Sequence, residues 1–385
     1  MTRSVSFRSK ALSNNGNSTE VEFTVIGGGV VGLSIAYGLL REGKTVRILD
    51  EGDLDFRASR GNFALVWLQS KGFGLSDYSV WTQRSISLWP TLSNALLQET
   101  GIDVGLSQKG GFLLYLDEDG LEQHVNRLTI LNQDLANHRI PFTQMDNGEL
   151  QKMLPGLGPD VVGGTYCPLD GHVNALRLFN ALHKACVNRG VDYVPNASVT
   201  KLARANGEYV IETLKGTFGT PKVVLAAGLG NAKLAPMIGL KAPLSPQRGQ
   251  IIVTEKLDKF LDYPIGTIRQ TDEGSVLIGA SKEDAGFDVS TSSNVMSDLA
   301  AEAVKMFPVL ARARIVRAWG SLRVMCPDGF PLYDEDSSTH DAFLVTCHSG
   351  VTLSAAHALE LTKEIAGGKL SDQSRKFGPQ RFENV

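Results

Sequence analysis

One hexapeptide constrains the fold of this chain more than any other feature. Gly27-Gly28-Gly29-Val30-Val31-Gly32 follows an apolar, β-branched run from Val21 to Ile26. It precedes a second apolar run, Leu33 to Leu40, with small residues at Ser34, Ala36 and Gly38. The first run reads as a buried strand and the second as a helix stopped by Gly43. Thr45 to Leu49 then reads as another strand, ending at Asp50. In such a strand–loop–helix–strand unit each glycine has a physical task. Gly27 permits the tight turn, Gly29 lets backbone N–H groups approach a pyrophosphate, and Gly32 lets helix and strand pack closely. The phosphates would sit at the positive end of the helix dipole. Asp50 lies 18 residues after Gly32, where an acid accepts hydrogen bonds from a ribose 2′-OH.

The rest of the composition sets bounds on this nucleotide-binding unit. At 385 residues the chain is long enough for two packed domains. Its 42% hydrophobic and 21% charged content suits a globular enzyme. The net charge is −3 and the basic residues are scattered, which argues against nucleic acid as a partner. Cys167, Cys186, Cys326 and Cys347 form no Cys-x-x-Cys pair, so no metal or iron–sulfur site is expected from this chain alone. That cysteine usage fits a reduced, cytoplasmic protein. Residues 1–19 are rich in Ser, Asn and Arg without the apolar run of a signal peptide, and are expected to be a flexible tail. No stretch of 18 apolar residues predicts a membrane span.

Further along, strands are expected at Gly111–Leu116, near 191–194, 197–203, 208–214 and 222–226, and at Phe343–Thr346. Helices are expected at 121–137, Ala175–Asn188, 294–306 and 351–366, the last ended by Gly367-Gly368. The segments without a phosphate loop, 80–150 and 241–320, are assigned to a substrate domain. Residues 20–79, 151–240 and 321–385 are assigned to the cofactor domain, written in three pieces. The expected class is α/β with an α+β second domain: a Rossmann-like FAD-binding domain interleaved with an antiparallel-sheet substrate domain. A glycine loop near residue 27 and a second cofactor segment near the C-terminus suit an extended FAD better than NAD.

Five segments resemble the D-amino-acid-oxidase-like family of FAD-dependent amine oxidoreductases. They are VIGGGVVGLSIAYGLLREGKTVRILDEG at 25–52, VVLAAGLGNAKLAPMIG at 223–239, PLSPQRGQIIV at 243–253, AWGSLRVMCPDGFPLYD at 318–334 and CHSGVTLSAAHA at 347–358. Within the family, SRGNFALVWLQSKG at 59–72 and HSGVT at 348–352 look like the B subunits of opine (octopine or nopaline) oxidases. They also look like the hydrogen cyanide synthase C subunit and the D-hydroxyproline dehydrogenase flavoprotein subunit. The resemblance implies non-covalent FAD, because no flavin-attaching cysteine is recognised. It implies a larger flavoprotein or electron-transfer subunit as partner, in some cases with an iron–sulfur protein. Some members also hold FMN at a subunit interface, though no residue here demands it. Asn174 stands where the family usually has Pro or Asp.

Residue by residue, the resemblance implies that Gly27, Gly29, Val30, Val31 and Gly32, with Asp50 and Glu51, hold the adenosine pyrophosphate end. It carries Ser59, Arg60, Gly61 and Asn62 past the pyrophosphate and ring. Val199 becomes the backbone contact to adenine, and Ala227-Gly228 a second crossing near the cofactor. His348, Ser349, Gly350, Val351 and Thr352 lie against the ring, where N–H groups and a helix dipole stabilise negative charge. Arg323 is the expected carboxylate clamp, with His348 as a proton-transfer candidate. Arg248 and Arg269 are candidates for a second carboxylate. The implied activity is oxidation of an opine's secondary amine to an imine, which hydrolyses to amino acid and keto acid. Glycine or D-hydroxyproline oxidation, or a non-catalytic electron-relay subunit, stand as alternatives.

Overall fold

A computed structural model describes residues 20–52 and 57–382. The segment 1–19, read as a tail, lies outside the described residues. The chain opens with β1 (Phe23–Ile26), α1 (Val30–Arg41) and β2 (Val46–Leu49). The two strands are parallel, with Phe23 opposite Val46 and Ile26 opposite Leu49. A short β3 (Leu65–Val66) and the long α2 (Ser76–Thr100) follow. Next come β4 (Gly111–Tyr115), α3 (Glu118–Asp134), β5 (Thr143–Asp146), α4 (Asn147–Met153) and β6 (Gly163–Cys167). Asp117 caps α3 through the Gly120 N–H. Asp146 and Glu149 cap α4 reciprocally. Then β7 (Gly171–His172) pairs back onto β3, and α5 (Ala175–Asn188) begins at Asn174, whose side chain accepts from Leu176 and Arg177 N–H. That cap gives the departure from the family's usual Pro or Asp a local role.

The second half contributes β8 (Asp192–Val194), the meander β9 (Val199–Ala205), β10 (Glu208–Thr213) and β11 (Gly216–Thr220), and then β12 (Lys222–Leu225). After these run β13 (Ser245–Lys256), β14 (Ile268–Gln270), β15 (Ser275–Gly279), a helix over Ser293–Met306, β16 (Ile315–Met325), β17 (Leu332–Glu335) and β18 (Ala342–Thr346). A helical run over 354–367 closes the fold, with a π-helical stretch at His357–Leu361.

Six strands make the central sheet, in the order β17-β18-β12-β1-β2-β8. All neighbours are parallel except β17 and β18. The strand period of two divides its side chains between two cores. Phe23, Val25, Val46, Ile48, Val224 and Phe343 face α1, α2, α5 and the terminal helical run. Ile26, Leu49, Val223, Leu225 and Leu344 face the β9–β11 meander. Burial on both faces explains why these strands are almost wholly β-branched and aliphatic. Two further antiparallel sheets, ordered β4-β6-β5 and β14-β15-β13-β16, pack around a third core. The fold is thus a Rossmann-like α/β unit combined with antiparallel sheets.

Two assignments made from sequence need correction. Residues 163–167, expected with the cofactor domain, pair with β4 and β5 instead. Conversely α2, expected from residue 80 on to lie with the substrate domain, packs Trp81, Trp89, Leu92 and Leu96 into the core that contains Phe23. Pro90 inside α2 hides this helix from pattern reading. Proline removes the N–H that would serve the Ile86 carbonyl, and Gln108 replaces it, donating from Nε2 at 3.0 Å. Gln108→Ala should therefore cost about 1–2 kcal/mol in urea unfolding, since it strands that carbonyl. In a Pro90→Ala background, where the helix donor returns, the cost should fall below about 0.5 kcal/mol; equal costs in both backgrounds would break the link.

Candidate active site

The glycine loop is built by close backbone approach. Gly27 has φ +108°, and a Cβ there would stand 2.5 Å from the Ala226 carbonyl oxygen. A Cβ on Gly32 would collide with the Gly27 carbonyl. Main-chain bonds fix the turn: Gly27 N–H donates to Leu49 O at 2.9 Å and Ala226 N–H to Ile26 O at 2.8 Å. Gly29 heads α1 with no side-chain cap, and the first turn carries no acid. The helix thus presents its positive end without a carboxylate of its own. Val30 N–H donates to Ser59 Oγ at 2.8 Å. Asp50 is buried beneath the loop and accepts from Gly28 N–H at 2.7 Å and Gly52 N–H at 2.9 Å. Each carboxylate oxygen retains further acceptor capacity. Glu51 is exposed and pairs with Arg57 at 3.0 Å.

Three other segments converge on this loop. Ala227 and Gly228 follow β12 directly against Gly27, with Gly228 at φ +56°. Val199 packs on the core that contains Ile26 and Leu49, the residues just before the loop and before Asp50. Residues 59–62 run from the glycine loop to β16: Ser59 meets Val30, and Gly61 accepts from Trp319 Nε1 at 3.2 Å. A Cβ on Gly61 would lie 2.5 Å from Ser321 Cβ. Asn62 donates to the Ser59 carbonyl at 2.8 Å, while its own Oδ1 is buried with no partner among the described residues. Arg60 turns away, its guanidinium 5.2 Å from the Phe179 ring centroid.

The loop after β18 completes the arrangement. A Cβ on Gly350 would meet Val30 Cγ1 and Val31 Cγ2, each at 3.0 Å, so this loop rests on the first turn of α1. Val351 is buried in the adjoining core. Thr352 locks the loop to β3, donating to Leu65 O at 3.0 Å and accepting from Trp67 N–H at 3.3 Å. Its carbonyl accepts from Ser85 Oγ and Trp89 Nε1. These bonds hold 348–353 out of the helix, which begins at Ser354 and not at 351. Ser349 Oγ meets Lys71 Nζ at 2.9 Å and Tyr78 Oη at 2.8 Å.

His348 has an exposed side chain and yet is strongly desolvated. Both hold only if it lines an enclosed space rather than the outer surface. Desolvation, then Lys71, Arg323 and Lys282, push its pKa down to about 3. His348 is therefore a neutral imidazole at physiological pH and too weak a base for the proton-transfer role read from sequence. Arg323 lies in β16 opposite Gln247. Its Nη1 donates to the Arg248 carbonyl at 3.1 Å, and a Cβ on Gly249 would stand 2.7 Å from the guanidinium. Burial lowers its pKa. No carboxylate among the described residues lies within ion-pair distance of Arg323, so an interdomain ion pair does not occupy it.

One of the other two arginines differs from expectation. Arg248 is bound to Glu283 at 2.7 Å and Asp288 at 2.5 Å, so its guanidinium is not a free carboxylate clamp. Arg269 is buried, donates to the Phe63 carbonyl at 2.7 Å and lies 3.5 Å from His172 Nδ1, with no carboxylate within ion-pair distance among the described residues. Sequence reading also missed Lys71, Lys282, Tyr78 and Asp170. Lys71 had a signal, a lone cation at the end of the apolar stretch 63–72. Lys282 had none, since only the turn after β15 brings it near the loop. Asp170 is fully buried, accepting from Leu68 N–H at 2.5 Å and Gln69 Nε2 at 2.8 Å, and desolvation raises its pKa to about 7.

Comparison with known proteins agrees with this geometry. A family model described as FAD dependent oxidoreductase matches residues 22–364. The chain is similar to the B subunit of opine oxidase from Agrobacterium tumefaciens (strain Ach5), 45% identical over 365 residues, covering 94% of this chain and 98% of the relative. Its counterpart from Rhizobium meliloti is 43% identical, with 94% and 98% coverage. Among solved structures, glycine oxidase from Geobacillus kaustophilus superposes with a TM-score of 0.84 at 25% identity, covering 92% of this chain and 96% of that one.

The residues present fit FAD. A helix start free of acid, with only Val30 N–H bonded to a side chain, suits a pyrophosphate, Asp50 retains acceptor capacity for a ribose, and the orphaned Asn62 Oδ1 offers a buried acceptor along the cradle. A Cβ on Gly29 would stand 2.8 Å from Ser59 Oγ. Gly29→Val should therefore purify colourless, with flavin content below about a tenth of wild type and an otherwise wild-type circular dichroism spectrum. Full flavin retention would remove this loop from the cofactor site.

Proposed function

The chain belongs to the FAD dependent oxidoreductase family, and on that footing we propose that it oxidises the secondary amine of an opine, octopine or nopaline, as one component of a larger assembly. An opine joins an amino acid to a keto acid through that amine, and so carries at least two carboxylates. One observation favours such a substrate over glycine or D-hydroxyproline, which carry one carboxylate each. Lys71, Arg323 and Lys282 all act electrostatically on His348, and none has a carboxylate within ion-pair distance among the described residues. Arg323 clamps one carboxylate through its planar fork and Lys282 attracts the second. The two opine oxidase relatives point the same way. Their being called subunits supports a partner chain that takes electrons onward: a larger flavoprotein or electron-transfer subunit, with or without an iron–sulfur protein.

Bound FAD would accept the hydride from the carbon bearing the amine, leaving an imine that water splits into amino acid and keto acid. The protein's own contribution is orientation and charge placement. Gly27–Gly32 and Asp50 would hold the adenosine pyrophosphate end, with Glu51 at the margin. Ser59–Asn62, Val199 and Ala227-Gly228 would line the cofactor's path. The N–H groups of Ser349–Thr352 would face the ring, and neutral His348 would orient the substrate by hydrogen bonding without carrying charge.

The direct test is anaerobic titration of the purified yellow protein with octopine, nopaline, glycine and D-hydroxyproline. Bleaching by an opine alone is expected; bleaching by glycine or D-hydroxyproline instead would overturn the substrate assignment. Arg323→Ala should raise the opine concentration for half-reduction about a hundredfold, with flavin content unchanged, because one charge-assisted clamp is lost. An unaltered half-reduction point would take Arg323 out of the site.

A further inference from the structure

We propose that Lys71 is the group that takes the proton from the substrate's secondary ammonium, the step that must precede its oxidation. This inference rests on the opine reading of the site. A secondary amine is largely protonated in neutral water, and its nitrogen needs a free lone pair before the C=N bond can form. Unless the neutral amine is taken from solution, an acceptor for this proton must lie within reach of the enclosed space that His348 lines.

The groups facing that space can be taken in turn. His348 is too weak a base, with its pKa at about 3. Asp170 accepts from Leu68 N–H and Gln69 Nε2 and is completely buried, with no surface to offer a substrate. Glu283 is held by Arg248, Gln250 and Ser281. Cys347 and Tyr78 are buried, and desolvation pushes the thiol up to about 12 and the phenol higher still. Arg323 remains a cation, and Lys282 lies exposed at the margin.

Lys71 differs from all of these. Its amine donates to the Ser349 hydroxyl at 2.9 Å and lies 6.0 Å from the Tyr78 ring centroid, and no carboxylate among the described residues lies within ion-pair distance. Tyr78 holds the same hydroxyl at 2.8 Å. The lysine is thus aimed at the loop that rests on α1. It keeps partial exposure although its surroundings desolvate it, the signature already seen at His348. Desolvation is the first cause lowering its pKa to about 8, with Lys282 and Arg323 adding to it against Cys347 and Asp170. A cation buried without a counter-ion is costly, whereas a neutral amine in the same place is a base matched to its task.

The step balances simply. The substrate ammonium N–H bond breaks and a Lys71 N–H bond forms. No electron moves, and the lysine becomes an ammonium while the substrate nitrogen regains its lone pair. The charge that Lys71 takes up in this step is offset by the substrate's carboxylates.

The test is the pH profile of flavin reduction at saturating opine, measured anaerobically from about pH 6 to pH 10. Because only neutral Lys71 accepts the proton, the wild-type limiting rate should rise about tenfold per pH unit and level off above an inflection at or above about pH 8, since bound carboxylates favour the protonated lysine. Lys71→Met should slow reduction about a hundredfold at pH 7 and lose that inflection. Lys71→Ala should regain rate with added ethylamine. Lys71→Arg, which keeps the charge without a usable lone pair, should not be faster than Lys71→Met. A second readout needs no turnover: the oxidised flavin spectrum, without opine, should shift with a midpoint near pH 8 in wild type and not in Lys71→Met. A Lys71→Met enzyme that retains the inflection, or that weakens opine binding with the limiting rate unchanged, overturns the proposal while leaving the substrate assignment standing. A wild-type flavin that no opine bleaches at any of these pH values overturns both.

Discussion

The whole arrangement hangs on backbone touching backbone at one corner of the central sheet. Gly27 and Ala226 approach so closely that no Cβ fits between them, and Gly32 crowds the Gly27 carbonyl from the helix side. Only glycine permits both the positive φ of the turn and the contact itself. The ends of β1 and β12, the start of α1 and the loop after β18 therefore meet within a few ångströms, although they are drawn from residues 27, 226 and 350. Gly350 rests on Val30 and Val31 because it too lacks a side chain. Were any of these residues larger, the loop could not lie on the helix start, and the segment it anchors through Thr352 and Trp67 would lose its seat.

The second constraint is the alternation of the six-stranded sheet. One set of side chains carries α1, α2, α5 and the terminal helices, and the other carries the β9–β11 meander. The carboxyl ends of β1, β2 and β12 carry the glycine loop, Asp50 and Ala226–Gly228, at the usual place for a ligand in an open α/β sheet. The antiparallel sheet then supplies the opposing chemistry. The long β13–β16 ladder brings Arg323 across from Gln247, and Gly249 leaves the room its guanidinium occupies. On the proposed reading the cofactor cradle would be built from backbone and the substrate wall from side chains. That division explains why the first needs glycines at fixed positions and the second needs only cations that converge.

What could be read from the sequence follows the same division. The glycine loop, Asp50, the helix over Ala175–Asn188 and the buried strands are local patterns, and the structure contains each of them. α2 was not legible, because Pro90 breaks the pattern and the compensating Gln108 lies in another segment. The membership of β6 was not legible either, since a strand of Gly, Thr and Tyr has no marked preference for one sheet. Among the cations, Arg248 and Arg323 sit in the same ladder and look alike in sequence. Only the positions of Glu283 and Asp288 show that one is paired and the other is not. Lys71 stood within a recognised stretch, but its significance depends on Ser349, 278 positions away.

That dependence bears on how charge is managed at the site. Burial raises the acid Asp170 and lowers the bases His348 and Lys71, so the surroundings by themselves penalise the charged form of each. A substrate with two or more carboxylates reverses the balance. Its negative charge offsets Arg323 and Lys282 and favours protonated Lys71, the form reached once the substrate has given up its proton. The same carboxylates that give affinity thereby draw the proton off the nitrogen. A substrate with a single carboxylate would leave part of the cationic field uncompensated and would gain less from that coupling. Selectivity and deprotonation are on this view two consequences of one electrostatic fact, a group of cations without carboxylate partners that is completed by its anionic substrate.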